Sequence, residues 1–159
     1  MKVGFGYDIH RLARGRRLIL GGVEIPSDRG EEGFSDGDAL IHAVIDSLLG
    51  PCGLGDIGGN FPPGDERYRD ADSRTLLRKV REMIGEAGFR IGNLDCVVIL
   101  EKPRILPFVP RVRQTLADDL GIAADSVNVR GKTKEGVDAT GEGRAVEAYA
   151  VALLTEGTA

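Results

Sequence analysis

The stretch Val3-Gly4-Phe5-Gly6-Tyr7-Asp8-Ile9-His10 indicates the first structural element of this chain. It alternates along its length and is rich in aromatic and β-branched residues, a pattern that predicts a β-strand. Because side chains two residues apart in a strand point to the same face, we expect Asp8 and His10 to lie side by side. The chain has only one other histidine, His42, on a segment with the pattern of a helix.

His42 follows the turn Ser35-Asp36-Gly37-Asp38, and Asp46 lies four residues further along the same helix face. One aspartate and two histidines match the ligands of a zinc site that keeps its fourth position open, and a nearby carboxylate can orient a histidine ring. We therefore interpret Asp8, His10 and His42 as metal ligands. Asp46 would accept a hydrogen bond from the His42 ring and so orient it. The spacing alone fits an ordinary His–Asp pair on a helix surface about equally well.

The composition is that of a globular protein, with 159 residues, 42% of them hydrophobic and 29% charged. We expect one domain over residues 1–159. No apolar run approaches the roughly 18 residues of a membrane span, and the start does not read as a secretory signal, so a cytoplasmic location without membrane contact is expected. A net charge of −4 argues against a nucleic-acid partner.

Three segments have helical periodicity and end signals. They are 38–49, 74–87 (after Ser73 as the cap) and 110–120. Strand patterns occupy 2–10, 17–25, 95–100 and 127–134. The glycine-rich and proline-rich stretch 53–72 predicts a long loop, and residues 144–154 fit a strand and a helix about equally well.

Strands interleaved with helices predict an α/β fold, specifically an α+β sandwich in which three helices cover one face of a single sheet. The run at 95–100 is apolar on both faces, so the face away from the helices also needs a cover. Another copy of the chain is the simplest source of that cover, which favours a homo-oligomer.

Two further motifs have a functional and a plain structural interpretation. The turn Ser35–Asp38 can present backbone amides to a phosphate, but helix capping explains it equally well. The strand end Lys132-Thr133-Lys134-Glu135 combines bases, a hydroxyl and an acid, yet such a composition is more common at a solvated edge. Neither motif settles a function by itself.

Several segments match one enzyme family in order and spacing from residue 2 to about residue 154. They are Gly4–Arg11, Leu20–Pro26, Ser35–Asp38 with His42, Ala43 and Asp46, Leu54–Gly58 with Phe61 and Pro62, Asp72–Ser73, Ile91–Asp95, Lys102–Pro103, and Val127–Val129 with Lys132, Thr133 and Glu135. Together they resemble the 2-C-methyl-D-erythritol 2,4-cyclodiphosphate synthases of non-mevalonate isoprenoid biosynthesis.

The resemblance implies a metal-dependent lyase that cyclises 4-diphosphocytidyl-2-C-methyl-D-erythritol 2-phosphate and releases CMP. It also implies a homotrimer with active sites between subunits, a sheet that faces the trimer axis and helices on the outside. Residues 144–154 would then form a strand. The implied cofactors are zinc and a second divalent ion, magnesium or manganese.

The resemblance assigns roles to individual residues. Asp8, His10 and His42 would bind zinc, and Glu135 would hold the second ion. The catalytic positions are Thr133, Ser35 and Phe34, the last of which replaces the family's usual histidine. The substrate-binding positions are Asp8, His10, Ser35, Asp56, Gly58, Phe61, Asp65, Leu100, Pro103, Arg104, Ile105, Leu106, Lys132, Thr133, Lys134, Glu135, Ala139 and Glu142.

The chain departs from the family pattern at several of these places. A phenyl ring at Phe34 cannot donate a hydrogen bond to phosphate, so the hypothesis is slower cyclisation with intact metal binding. Pro63 and Gly64 replace a more polar pair, and Ala139 and Glu142 differ from the Phe and Arg of some members. Two alternatives stay open: a zinc hydrolase that uses the same ligands, and a non-catalytic trimeric carrier of a cytidine nucleotide.

Overall fold

The computed structural model describes residues 1–157. The strands in this range are β1 (Lys2–Arg14), β2 (Leu18–Leu20), β3 (Val23–Ile25), β4 (Arg29–Glu31), β5 (Phe89–Ile99), β6 (Val127–Lys132) and β7 (Ala145–Glu156). The α-helices are α1 (Ala39–Leu49), α2 (Ile57–Asn60), α3 (Ser73–Glu86), α4 (Val109–Leu120) and α5 (Asp138–Gly141).

The main sheet has the strand order β4-β1-β7-β5-β6. β7 is antiparallel to both β1 and β5, and β5 is parallel to β6, so β1, β5 and β6 all run in the same direction. The register places Ile9, Glu147, Ile99 and Lys132 in one row across four strands. Ile9 of β1 and Lys132 at the end of β6 therefore lie at the same level of the sheet, three strands apart.

Two glycines of β1 allow helix α1 to lie directly on the sheet. A Cβ atom at Gly4 would stand 1.8 Å from the carbonyl oxygen of Ser47, and one at Gly6 would stand 1.9 Å from that of Ala43. No side chain fits in that space, so the helix and strand backbones touch. This contact fixes the height of α1 above the strand that carries Asp8 and His10.

The start of α1 is fixed by a buried carboxylate. Asp38 accepts hydrogen bonds from the backbone N–H groups of Ile41, Gly21 and Gly22, so it caps the helix and also holds the turn between β2 and β3. Both glycines of that turn have positive φ, as the tight hairpin requires. Complete burial raises the pKa of Asp38 to about 6, although these backbone bonds act against the shift.

The other face of the sheet remains uncovered within one chain. Val3, Phe5, Tyr7 and Ile9 alternate with the buried side of β1 and are 40–68% exposed. On β5, Cys96 and Val98 are buried under the helices, whereas Val97 and Ile99 are only half-buried. The prediction that the apolar strand is covered on both faces is therefore not met by a single chain.

The predicted fold class is confirmed: a mixed α/β sandwich with its three long helices on one face of the main sheet. Residues 144–154 lie almost entirely in strand β7, the alternative that the residues alone left open. The stretch 53–72 is not a plain loop, because it contains α2 and a short 3₁₀ helix at Glu66–Tyr68. The cap of α3 is Asp72 rather than Ser73. Among the described residues, every helix is too short or too polar to cross a bilayer.

Candidate metal centre and adjoining cavity

Three side chains from two elements converge at one point. Oδ2 of Asp8 lies 2.8 Å from Nε2 of His10 and 3.0 Å from Nδ1 of His42. The two imidazole nitrogens are themselves 3.3 Å apart. Asp8 and His10 project from the same face of β1, and α1 places His42 above them. The predicted pairing of the two histidines with Asp8 is thus present in the folded chain.

The donor set fits a divalent cation. Ligand atoms around a tetrahedral zinc with bonds of about 2.0–2.1 Å stand roughly 3.3 Å from one another, close to the separations seen here. Burial alone would raise the pKa of Asp8, but hydrogen bonds from His10 and His42 outweigh it and lower the pKa to about 2, so the carboxylate is ionised. Within residues 1–157 this is the one cluster of three or more such side chains close enough to share an ion.

The group behind His42 is a pair of hydroxyls, not Asp46. Nε2 of His42 lies 3.0 Å from Oγ of Ser73 and 3.2 Å from Oγ of Ser35. Ser73 in turn donates its hydroxyl proton to Asp36. The interpretation that Asp46 orients the His42 ring is wrong, because its carboxylate accepts the backbone N–H of Ile57 at 2.8 Å.

Sequence reasoning missed Ser73 and Asp36 as neighbours of the metal ligands. The sequence pattern favours helix capping for both residues, and both do lie at helix entries. The available signal was that Asp72-Ser73 matches the family pattern. Burial acts to lower the pKa of His42, but the contact with Asp8 outweighs it, so the pKa of this imidazole is raised.

Sequence reasoning also missed Glu31, which lies behind His10. This side chain is 1% exposed, and its Oε2 accepts the backbone N–H of Ala39 at 2.8 Å. The same oxygen lies 3.7 Å from Nδ1 of His10. Burial, and then the neighbouring charge of Asp38, raise the pKa of Glu31 well above its ordinary value. No motif in the sequence distinguishes this glutamate from the exposed Glu32 beside it.

A cavity of about 530 Å³ adjoins the ligand cluster and is lined by both histidines. Its other walls include residues predicted to bind substrate or to take part in catalysis. These predicted residues are Phe34, Ser35, Gly58 and Phe61. Ile57 and Tyr68, which were not predicted, also line the cavity. The Phe61 ring meets Tyr68 edge-on at 5.5 Å, and the guanidinium of Arg69 lies 5.0 Å from the centroid of the Phe34 ring.

Two acidic residues predicted near this cavity have local partners. Asp56 caps α2 by accepting the backbone N–H of Gly59 at 2.7 Å. Asp65 forms an ion pair with Arg67 at 2.6 Å. In this conformation both carboxylates stabilise their own loops.

A second group of predicted residues lies together where β5 and β6 end, at the edge of the sheet away from β1. The backbone N–H of Leu100 donates to the carbonyl of Lys132 at 2.9 Å, and Ile105 packs against Gly131. Pro103 follows a cis peptide bond, while Arg104 and Leu106 are exposed. Thr133 donates its hydroxyl proton to Glu135 at 2.6 Å. The structure therefore brings residues 100–106 and 132–135 together as one surface.

That surface lies apart from the metal ligands of the same chain. Lys132 is three strands from Ile9 along the shared row, a distance of about 14 Å at the usual spacing between strands. Glu135 accordingly does not belong to the three-ligand cluster. Ala139 lines another cavity with Ile9, and Glu142 pairs with Arg144 at 2.6 Å.

Comparison with known proteins agrees with this architecture. The model of the YgbB family matches residues 1–155. The 2-C-methyl-D-erythritol 2,4-cyclodiphosphate synthase of Treponema denticola is 50% identical over 154 residues, which cover 97% of this chain and 96% of that protein. The corresponding protein of Moorella thermoacetica is 47% identical over 156 residues, which cover 98% and 96%.

Solved structures give the same result. A 2C-methyl-D-erythritol-2,4-cyclodiphosphate synthase in its CDP-bound form superposes with a TM-score of 0.89 at 37% identity, and covers 96% of this chain and 99% of that one. The bifunctional IspDF of Campylobacter jejuni has a TM-score of 0.94 at 31% identity over 98% of this chain, which spans only 42% of that longer protein. The chain therefore belongs to the YgbB family, the family of the 2-C-methyl-D-erythritol 2,4-cyclodiphosphate synthases.

Proposed function

We propose that this chain is a phosphorus–oxygen lyase that converts 4-diphosphocytidyl-2-C-methyl-D-erythritol 2-phosphate to 2-C-methyl-D-erythritol 2,4-cyclodiphosphate and CMP. The observation that carries the proposal is the convergence of Asp8, His10 and His42 beside the cavity of about 530 Å³. Membership of the family and the likeness to a CDP-bound synthase support it.

The reaction does not require a strong general base from the protein. An oxygen of the 2-phosphate, already anionic at neutral pH, attacks the β-phosphorus of the diphosphate. The new P–O bond closes the ring, and the bond from that phosphorus to the bridging oxygen breaks, so CMP leaves with the electron pair. The obstacles are repulsion between anions and the orientation of a flexible substrate.

The three ligands suit zinc, because an N,N,O set with an open fourth position is typical of catalytic zinc sites. Bound there, zinc would neutralise phosphate charge and act as a Lewis acid. The chain's own side chains have separate tasks. Ser35 and Ser73 hold the His42 ring, and Gly58 and Phe61 form the wall against which the erythritol part can lie.

We further propose a homotrimer in which a neighbouring subunit completes each site. Two observations support it: the exposed apolar row of β1, and the separation of about 14 Å between the metal ligands and Lys132 of the same chain. With the apolar faces joined around an axis, residues 132–135 of one subunit would approach the metal ligands of the next.

In that assembly the second surface would bind the nucleotide half of the substrate. Backbone groups of residues 100–106 would hold the cytidine, and Lys132, Thr133 and Lys134 the diphosphate. Glu135 would supply a carboxylate to magnesium or manganese, ions that prefer oxygen ligands. Ala139, Glu142 and the loop around Asp56 and Asp65 remain predicted substrate contacts.

The proposed compartment is the cytoplasm. Cys52 and Cys96 are both free thiols, and Cys96 is buried, which suits a reducing environment.

Product analysis tests the proposal. The purified chain is incubated with the diphosphocytidyl substrate, zinc and magnesium, and phosphorus NMR follows the products. A cyclic diphosphate together with CMP is expected, whereas an opened, hydrated phosphate would indicate a hydrolase instead. Tight cytidine nucleotide binding without turnover would indicate a carrier. Chelation and His42→Ala should each abolish CMP release, and only the chelated protein should recover when zinc is restored.

A further inference from the structure

Glu31 and His10 each present a buried polar atom without a partner. Glu31 ends β4, and the register pairs it with Leu12 of β1, so it is the diagonal neighbour of His10 on the same face. Within residues 1–157, the buried side-chain atoms that lack a hydrogen-bond partner are Nδ1 of His10 and Oε1 of Glu31. The two unsatisfied groups are therefore adjacent to each other.

This arrangement destabilises the folded protein unless the two groups form a hydrogen bond with each other. A buried polar atom without a partner costs about 1–3 kcal/mol, and more if it is charged. Nδ1 of His10 lies 3.7 Å from Oε2 of Glu31, just beyond hydrogen-bond range. A small rotation of either side chain would close the gap, provided that Nδ1 carries a proton for the carboxylate to accept.

The position of the His10 proton depends on what Nε2 contacts. Without a metal, the 2.8 Å contact with Asp8 is satisfied when Nε2 carries the proton, which leaves the Nδ1 lone pair facing Glu31. A metal ligand cannot keep a proton on its coordinating nitrogen, so in the metal-bound protein a neutral His10 must carry its proton on Nδ1.

We propose that Glu31 is a positioning residue of the metal centre, whose carboxylate accepts the Nδ1 proton of His10 when Nε2 binds a metal ion. In this role the carboxylate, which is 1% exposed, supplies the acceptor that Nδ1 of His10 lacks. The oxygen nearer to His10 is Oε2, which also accepts the Ala39 N–H. This role rests on the proposed function only in requiring that Asp8, His10 and His42 hold a metal.

Zinc affinity, measured by competition with a chromogenic chelator, tests the proposal. Glu31→Gln keeps the side chain's size and can keep the bond to the Ala39 N–H through its one oxygen, but it replaces the charged acceptor beside His10 with a neutral amide oxygen, which binds the Nδ1 proton more weakly. We expect zinc affinity to fall about 10–100-fold in Glu31→Gln and in Glu31→Leu. Glu32→Gln removes the same charge from the next, exposed residue and should leave the affinity unchanged.

A spectroscopic measurement separates positioning from loss of structure. Because His10 and His42 are the only two histidines, nitrogen-15 spectra of their imidazoles can be assigned without crowding. The zinc-loaded protein should show His10 protonated on Nδ1, and Glu31→Gln should weaken that signature while the melting temperature of the metal-free protein changes little. If Glu31→Leu fails to fold, Glu31→Gln carries the test alone.

Zinc affinity within twofold of the unmodified protein in both variants, with the His10 signature unchanged, would overturn the inference. The proposed function would still stand if those variants released CMP normally. Conversely, a protein that binds zinc in the predicted Glu31-dependent way but forms no cyclic diphosphate would sink the proposed function and leave the inference intact.

Discussion

The backbone of Gly6 touches helix α1 so closely that a Cβ atom there would stand 1.9 Å from the carbonyl oxygen of Ala43. Ala43 is the neighbour of His42, and Gly6 lies two residues before Asp8 on the same face of β1. The contact between a strand and a helix backbone therefore sets the distance between the metal ligands themselves.

Gly6→Ala should move α1 away from β1 and disturb the ligand cluster. Overpacking of this kind typically destabilises a protein by about 1–3 kcal/mol, and the direct backbone clash places this site at the upper end. Thermal unfolding and zinc titration of the same sample measure both effects. Gly85→Ala, on α3 with open space around it, is the control and should raise stability slightly. An unchanged zinc affinity in Gly6→Ala would show that the contact does not position the ligands.

Ser73→Ala should weaken zinc binding more than Asp46→Asn does. Ser73 contacts Nε2 of His42 at 3.0 Å, whereas Asp46 bonds the backbone of Ile57. Loss of such a partner typically reduces metal affinity about 10-fold or more. Chelator competition on both variants measures the difference. The reverse order would restore Asp46 as the residue that orients His42.

Phe34→His should raise the turnover rate without a change in zinc affinity. Phe34 lines the cavity but cannot donate a hydrogen bond to phosphate, and it is not among the three ligands. A hydrogen bond to a charged group contributes about 1.5–3 kcal/mol, so a gain of about 10-fold or more in kcat is expected. Phe34→Leu is the matched control and should show no gain. Equal rates for Phe34→His and the unmodified chain would dispose of the hypothesis that Phe34 slows cyclisation.

Phe5→Glu should separate the subunits and abolish activity while zinc binding persists. Phe5 is 63% exposed on the uncovered apolar face of the sheet. If that face is a subunit interface, the substitution places a charged carboxylate inside it. Analytical ultracentrifugation gives the oligomeric state, and CMP release gives the activity. Glu82→Arg, on the exposed surface of α3, should leave both unchanged. A fully active monomeric Phe5→Glu protein would contradict the proposal that sites lie between subunits.

Glu147 should make the stability of this chain depend on acid pH. Burial alone would raise its pKa, but hydrogen bonds from Lys134, Thr140 and Tyr149 outweigh it and lower the pKa below the ordinary value of 4.5. A lowered carboxyl pKa contributes stability that is present above the ordinary value and is lost as the pH falls through the folded value. In Glu147→Gln, the fall in unfolding free energy between about pH 5 and pH 3 should therefore be shallower.

The same variant tests whether Glu147 holds the loop 132–135. Lys134 donates to Glu147 at 2.6 Å and forms an ion pair with Asp138 at 2.9 Å. If this anchoring orients the proposed diphosphate contacts, Glu147→Gln should raise KM more than it lowers kcat. Glu24→Gln, an exposed glutamate of β3, is the control. If the unfolding free energy of Glu147→Gln depends on pH in the same way as that of the unmodified chain, the Glu147 carboxylate does not contribute to the acid sensitivity.

The candidate metal ligands can be predicted from the sequence because their arrangement is mostly local. Alternation in β1 places Asp8 and His10 on one face whatever the rest of the chain does, and a capped helix presents His42. The three long helices can be predicted equally well, because each has its own hydrophobic periodicity and end signals. Residues 144–154 cannot, because a run of alanines in alternation fits both periods until β1 and β5 are seen to flank it.

The order of residues alone indicates which side chains are candidate metal ligands and which family the chain resembles. The side chains that contact the candidate ligands become visible only in the folded chain: Ser73, itself bonded to Asp36, contacts His42, and Glu31 lies next to His10. The contacts of Ser73 with His42 and with Asp36, and of Glu31 with His10, join residues 21 to 37 positions apart in the chain, so no local period encodes them. Their contacts follow from the packing of a helix onto a strand at a height that two glycines set, and packing is a property of the whole core.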